Sequence, residues 1–253
     1  MKPMDAEKLK LLGLWPVWRL RGEAASEADA EIDIDTDAAA EDIAPETDTP
    51  ELAVANPPAP VAEVAALGWD ELADAVRDCT RCGLHRGRKQ GVPGVGDRQA
   101  DWLIVGEAPG AEEDRLGEPF VGQAGKLLDA MLAAIQLKRG ENVYIANVLK
   151  SRPPNNRDPQ PDEVAACLPY LERQVALIQP RIILALGRVA AQSLLGSETA
   201  ISRLRGGVHR YQGVPLVVTY HPAYLLRNPA DKAKVWEDLC LARRTLLADA
   251  AAG

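Results

Sequence analysis

DWLIVGEAPGAEEDRLGEPFVGQAGKLL, residues 101–128, opens with an apolar run rich in β-branched and aromatic residues that stops at Gly106. Such a run predicts a strand buried on both faces, as in a parallel sheet. In Gly106-Glu107-Ala108-Pro109-Gly110 the glycines let backbone and one carboxylate come close to a ligand, and Pro109 stiffens the turn. Glu107 therefore stands at the carboxyl end of a strand, where open α/β sheets take their ligands. After an acidic run, Pro119-Phe120-Val121-Gly122 presents the only phenylalanine in the chain, and residues 123–137 carry apolar positions at helical spacing.

Working outward, the same strand signal returns at 142–149 (NVYIANVL), 181–186 (RIILAL) and 214–219 (VPLVVT). Between them, 161–178 is helical in period, with Pro161 at its start and Asp162 and Glu163 in the first turn. Pro169 is expected to kink that helix, and a further helix follows Gly187 as far as Leu195. Strands alternating with helices predict a three-layer α/β/α sandwich around a central four-stranded parallel sheet.

Two more strand ends carry polar groups. Asn147 has a donor and an acceptor side by side, able to pair with an imide N–H and a carbonyl, although from the residues alone an ordinary turn asparagine is the better reading. His221, one of three histidines, follows the 214–219 strand. A lone histidine there is usually structural, but Glu107, Asn147 and His221 converging at neighbouring strand ends is the geometry of a site. The loop SRPPNNRDPQP offers Arg152 and Arg157 as phosphate contacts, and the cluster of Arg203, Arg205 and His209 reads as a further backbone contact.

Residues 69–79 read as a helix that delivers Cys79-Thr80-Arg81-Cys82. Two thiols at this spacing suit a cluster ligand pair, a zinc half-site, a redox pair or two unrelated cysteines. The redox motif is disfavoured because the pair follows a helix rather than a βα turn. Arg81, Arg86, Arg88 and Lys89 surround it, either to meet phosphates or as a solvated face. GVPGVG at 91–96 is not a dinucleotide loop, since it precedes the first core strand. Nor does GQAGKL at 122–127 have the spacing of a phosphate loop.

The charge is segmented. Residues 23–51 carry twelve acidic and no basic residues, while 77–253 carry 24 basic and 19 acidic ones. The mild basic excess of the larger part suits a polyanionic partner. Three domains are expected: a short helical segment at 1–21, an acidic disordered linker at 22–65, and a catalytic domain at 66–253. Trp15 and Trp18 make the first segment a possible docking peptide for another protein. Without an apolar run near membrane length or a secretory signal, a cytoplasmic protein that does not meet membranes is expected.

Three stretches in this order, GEAPGAEEDRLGEPFVGQAGKLLD (106–129), ANVLKSRPPNNRDP (146–159) and TYHPAYLLRNP (219–229), resemble the family 4 uracil-DNA glycosylases, the iron-sulfur class. The likeness spans about residues 79–239. It implies a monomeric enzyme of the uracil-DNA glycosylase-like fold that flips uracil out of single- or double-stranded DNA. The enzyme would hydrolyse the N-glycosidic bond and leave an abasic site. By that resemblance Glu107 and His221 are catalytic, and Ala108, Glu113, Phe120 and Asn147 bind the base. Arg152, Arg157, Arg205 and Arg227 would meet DNA, Arg227 within a wedge loop at 223–229. The family's [4Fe-4S] cluster implies Cys79, Cys82 and Cys167 as ligands. Where the family has its third cysteine this chain has Ser151, a poorer ligand for soft iron than a thiolate, which leaves the fourth ligand between Ser151 and Cys240. A catalytically degenerate DNA-binding module of the same fold, associated with replication or repair, is the alternative. A nucleotide-binding α/β protein acting on small molecules is disfavoured by the missing phosphate loop. The chain has no histidine in the loop after Asn147, so the covalent DNA link of a related class is not expected.

Overall fold

The computed structural model describes residues 61–252. The segment 1–21 and nearly all of the acidic linker lie outside the described residues. Six strands, β1 (Val95–Gly96), β2 (Trp102–Gly106), β3 (Val143–Asn147), β4 (Ile182–Leu186), β5 (Val208–Tyr211) and β6 (Val214–Thr219), form one sheet in the order β1-β3-β2-β4-β6-β5. The four inner strands are parallel, and β1 and β5 pair antiparallel at the two edges. The expected four-stranded parallel sheet is thus the centre of a mixed sheet. The two extra strands escape sequence patterning because β1 has only two residues and β5, VHRY, is a largely exposed edge strand with little apolar alternation.

The nine helices of the described residues are α1 (Val61–Ala66), α2 (Trp69–Arg77), α3 (Ala111–Leu116), α4 (Gln123–Ala134), α5 (Pro161–Ile178), α6 (Arg188–Leu195), α7 (Ile201–Leu204), α8 (Pro222–Arg227) and α9 (Lys232–Ala252). Alternate residues of each inner strand feed opposite faces. Trp102, Ile104, Ile182 and Leu184 pack with Leu128 and Met131 of α4 and Val235 and Leu239 of α9. Leu103, Val105, Ile183 and Ala185 pack with Leu171 and Val175 of α5 and Ala190 and Leu194 of α6. Every residue of β2, β3 and β4 is buried, which is why the strands read as unbroken apolar runs.

Three boundaries differ from the sequence reading. Residues 61–65, assigned to the linker, belong to α1, whose Val64 is buried with Leu72, Val76, Cys79 and Tyr170. Pro169, expected to interrupt this helix, does not do so, and α5 runs as one helix from Pro161 to Ile178. Pro169 is buried there, and tertiary packing outweighs the lost backbone hydrogen bond. The segment expected as a wedge loop is the short helix α8, with His221 as its N-cap and Pro222 in its first turn.

Candidate active site

Where β2, β3 and β6 end, the chain turns outward around a cavity of about 450 Å³. Glu107 follows β2, Asn147 closes β3 and His221 lies two residues past β6. All three line the cavity together with Ala108, Glu113 and Phe120. The six residues expected to form the base site are therefore brought together. Arg157 and Arg227 stand at the same cavity.

Gly106 makes room for two of them. A Cβ there would lie 2.4 Å from Asn147 Oδ1 and 2.5 Å from Phe120 Cζ, so only glycine lets the amide and the ring meet over the strand end. Phe120 and His221 face each other with ring centroids 5.4 Å apart and planes at 30°. Asn147 is 3% exposed, and its Oδ1 has no hydrogen-bond partner. A buried acceptor left unpaired costs about 1–3 kcal/mol, which a donor placed in the cavity would recover.

The ionisable groups are tuned apart. Burial pushes the Glu107 carboxyl up to about 7, with the Asp158 carboxylate adding to the rise and Arg188 opposing it. Asp158 and Arg188 form an ion pair of 2.5 Å. Burial pulls His221 down to about 4, against Glu113 and with Arg227. The imidazole is therefore neutral at physiological pH. Its Nδ1 accepts from the backbone N–H of Ala223 at 3.1 Å, which places the ring proton on Nε2 as a donor. Glu113 is bound on both oxygens: Oε2 accepts from Gly110 N (3.1 Å), and Oε1 from Val121 N (3.0 Å) and Gly122 N (3.3 Å). It is a fixed wall of the cavity.

Two predicted DNA contacts sit elsewhere. Arg205 has a side chain only 10% exposed, and its Nε donates to Asp238 Oδ2 at 2.7 Å. The same oxygen accepts from Thr219 Oγ1 at 2.7 Å, and the guanidinium lies 4.5 Å from the Tyr220 ring centroid. Arg205 is thus engaged inside the protein, anchoring the strand end that delivers His221, and the expectation of a phosphate contact there is corrected. His209 is likewise turned inward, its Nε2 bonded to Leu204 O. Arg152 does not line the cavity; its Nε donates to Asn156 on the loop beside it. The sequence reading missed Tyr224 and Asn156 in the wall, and Asp158 and Arg188 as charges acting on Glu107. Arg188 follows the end of β4.

The thiols gather on the α5 side. Cys82 packs against the cluster that holds Cys167 and Leu149, and Lys150 N donates to Cys167 Sγ at 3.4 Å. Arg88 bridges the rest, giving Nη1 to Ser151 Oγ (2.5 Å) and Nη2 to Cys79 O (2.8 Å). Cys240 sits on α9, which packs on the other face of the sheet, so Ser151 is the residue beside the three thiols and Cys240 is not a candidate ligand. The cations around them lack counter-charges. Nε and Nη1 of Arg81 are buried without a hydrogen-bond partner, and its guanidinium lies 5.6 Å from the Tyr170 ring centroid. Arg88 bonds only a hydroxyl and carbonyls. Lys150, fully buried, bonds Asn147 O and Gln174 Oε1, and burial pulls it down to about 7. Of these cations only Lys150 is fully buried, while Arg81 and Arg88 are half-buried, and among the described residues no three Cys, His, Asp or Glu side chains are grouped so as to hold a metal ion.

Fold and site together define a doubly wound α/β protein with a cavity lined by an acid, an aromatic ring, an amide and an imidazole at the carboxyl edge of its sheet. Residues 93–240 match the uracil DNA glycosylase superfamily. The chain is 49% identical to the type-4 uracil-DNA glycosylase of Archaeoglobus fulgidus over 168 residues, 63% of this chain and 84% of that one. With the type-4 enzyme of Pyrobaculum aerophilum it shares 45% over 183 residues, 69% and 93% of the two chains. With that of Thermotoga maritima it shares 42% over 172 residues, 66% and 89%. The chain belongs to the uracil DNA glycosylase superfamily, in its type-4 branch.

Proposed function

We propose that this protein excises uracil from DNA by hydrolysing the N-glycosidic bond of an extruded nucleotide. The observation that carries the proposal is the unpaired Oδ1 of buried Asn147 in a cavity shared with Phe120, Glu107 and His221. Uracil brings an N3–H donor to that acceptor, whereas cytosine presents a bare nitrogen and would leave it unpaired. The Asn147 amide N–H₂ would then meet uracil O4.

Phe120 stacks on the base and Glu113 closes the wall against the thymine methyl. As the bond breaks, charge grows on the uracil ring, and the neutral His221 donates from Nε2 to O2. Glu107, with its raised affinity for a proton, takes one from the attacking water or faces the sugar cation. Arg157 and Arg227 at the cavity mouth serve phosphates. Arg157 does so while its fork holds Glu163, with contacts of 2.6 and 2.9 Å. An iron-sulfur cluster, which would tie the 79–82 segment to α5 without a redox role, is held in this reading by Cys79, Cys82 and Cys167, with Ser151 at the fourth position. The uncompensated charges of Arg81, Arg88 and Lys150 support it.

The test is release of free uracil from a uracil-containing oligonucleotide, with iron and inorganic sulfide measured on the same anaerobic preparation. Uracil release with stoichiometric iron and sulfide is expected. DNA binding without release would leave only the degenerate module, and active protein without iron would remove the cluster. Gly106→Ala is expected to lower kcat/KM about tenfold or more, since it displaces the stacking ring. Steady-state kinetics on the same substrate would show it.

A further inference from the structure

Phe120 has φ 56°, in the left-handed region. The other non-glycine residues with positive φ among those described are all asparagine or glutamine, so a bulky aromatic residue here is the outlier. Such a conformation costs on the order of 1–3 kcal/mol and persists only where surrounding contacts over-determine it. Those contacts come from both sides of the turn, from Arg139 outside the cavity and from Glu113 in its wall. Arg139, in the loop between α4 and β3, donates from Nη1 to Pro119 O (2.9 Å) and from Nη2 to Phe120 O (2.8 Å). Its Nε donates to Asp129 Oδ1 (3.0 Å). The Glu113 carboxylate holds the next two N–H groups, and helix α4 abuts Phe120 so closely that a Cβ on Gly125 would lie 1.8 Å from Phe120 O.

We infer that Arg139 is a positioning residue for base recognition: its planar fork clamps the two carbonyls that flank the strained turn and so aims the Phe120 ring over Gly106. The inference rests on the uracil-excision reading for what the ring does. Arg139 itself does not line the cavity. Its ion pair with the half-exposed Asp129 contributes little to stability on its own, so the use of the guanidinium lies in its two carbonyl bonds. Lysine supplies one point charge in place of a fork and can hold only part of this geometry.

The experiment compares wild type, Arg139→Gln and Arg139→Lys, each also in a Phe120→Ala background, on a single-stranded uracil oligonucleotide, with Tm recorded for every variant. Arg139→Gln is expected to lower kcat/KM by about 5- to 150-fold, the range of a lost base-aromatic stack. Arg139→Lys should fall in between. In the Phe120→Ala background, Arg139→Gln should add less than about twofold, because the contact it serves is already gone. An unchanged kcat/KM in Arg139→Gln, or an equal fold loss with and without Phe120, would overturn the inference and leave Arg139 a loop staple. If Arg139→Gln does not fold, the same comparison with Arg139→Lys decides. Failure of the wild type to release uracil would instead remove the underlying reading.

Discussion

Glu107→Gln is expected to lower kcat for uracil release by about 10²- to 10⁴-fold, the usual contribution of a positioned proton acceptor, and to erase the acid limb of the pH profile. The carboxyl is raised from 4.5 to about 7. Below pH 7 it holds its proton and cannot serve as a base, so wild-type activity should climb through about pH 7 and level off above it. His221 is pulled down to about 4 and stays neutral throughout this window, so between the two proposed catalytic groups it is Glu107 whose ionisation shapes the limb. Asp158→Asn should move the limb to lower pH for two reasons of the same sign: a repelling carboxylate is lost, and Arg188, freed from its 2.5 Å partner, attracts Glu107 more strongly. The linkage to stability follows. A carboxyl with a raised folded-state pKa favours the fold while protonated, and that contribution is lost as pH rises from 4.5 through about 7. Glu107→Gln should therefore melt higher than wild type at pH 8 while being nearly inactive. Single-turnover rates and melting curves across pH 5–9 check both halves, and a wild-type rate flat from pH 5.5 to 8 would contradict the assignment.

The inner strands were legible because a strand buried on both faces is an apolar run that ends abruptly, and the polar residue at each end is then conspicuous. Glu107, Asn147 and His221 were found that way. What the sequence hid were long-range partnerships. Nothing near Arg205 shows that Asp238, 33 residues on, will take its charge, so it read as one more surface cation. Cys240 looked available as a ligand until the sheet came between α9 and the thiols. Arg139 lies 19 residues from the carbonyl it clamps, and Asp158 and Arg188 act on Glu107 from two other segments. Ser151 was legible as a departure from a motif. Its pairing with Arg88, 63 residues away, was not.

Asn147→Ala should weaken kcat/KM for uracil more than loss of the Phe120 stack does. Asn147 is buried at the end of β3, with Phe120 and Gly106 packed against its amide, so with uracil in the cavity its truncation removes both hydrogen-bonding atoms from that edge of the base. Uracil would then bury N3–H and O4 without partners, at about 1–3 kcal/mol each. Together these amount to roughly 30-fold to 10⁴-fold in rate. Stability should move the other way or hardly at all, because the substitution also removes an acceptor that is already unpaired in the free protein. Discrimination must fall with the rate. Without the amide, ring stacking and cavity shape remain, and both accept cytosine nearly as well as uracil. The ratio of kcat/KM for the two bases should therefore collapse toward one, even as both become slow. A variant that kept the wild-type ratio at a reduced rate would show that Asn147 orients the chemistry without reading the base, and the unpaired oxygen would then need another donor.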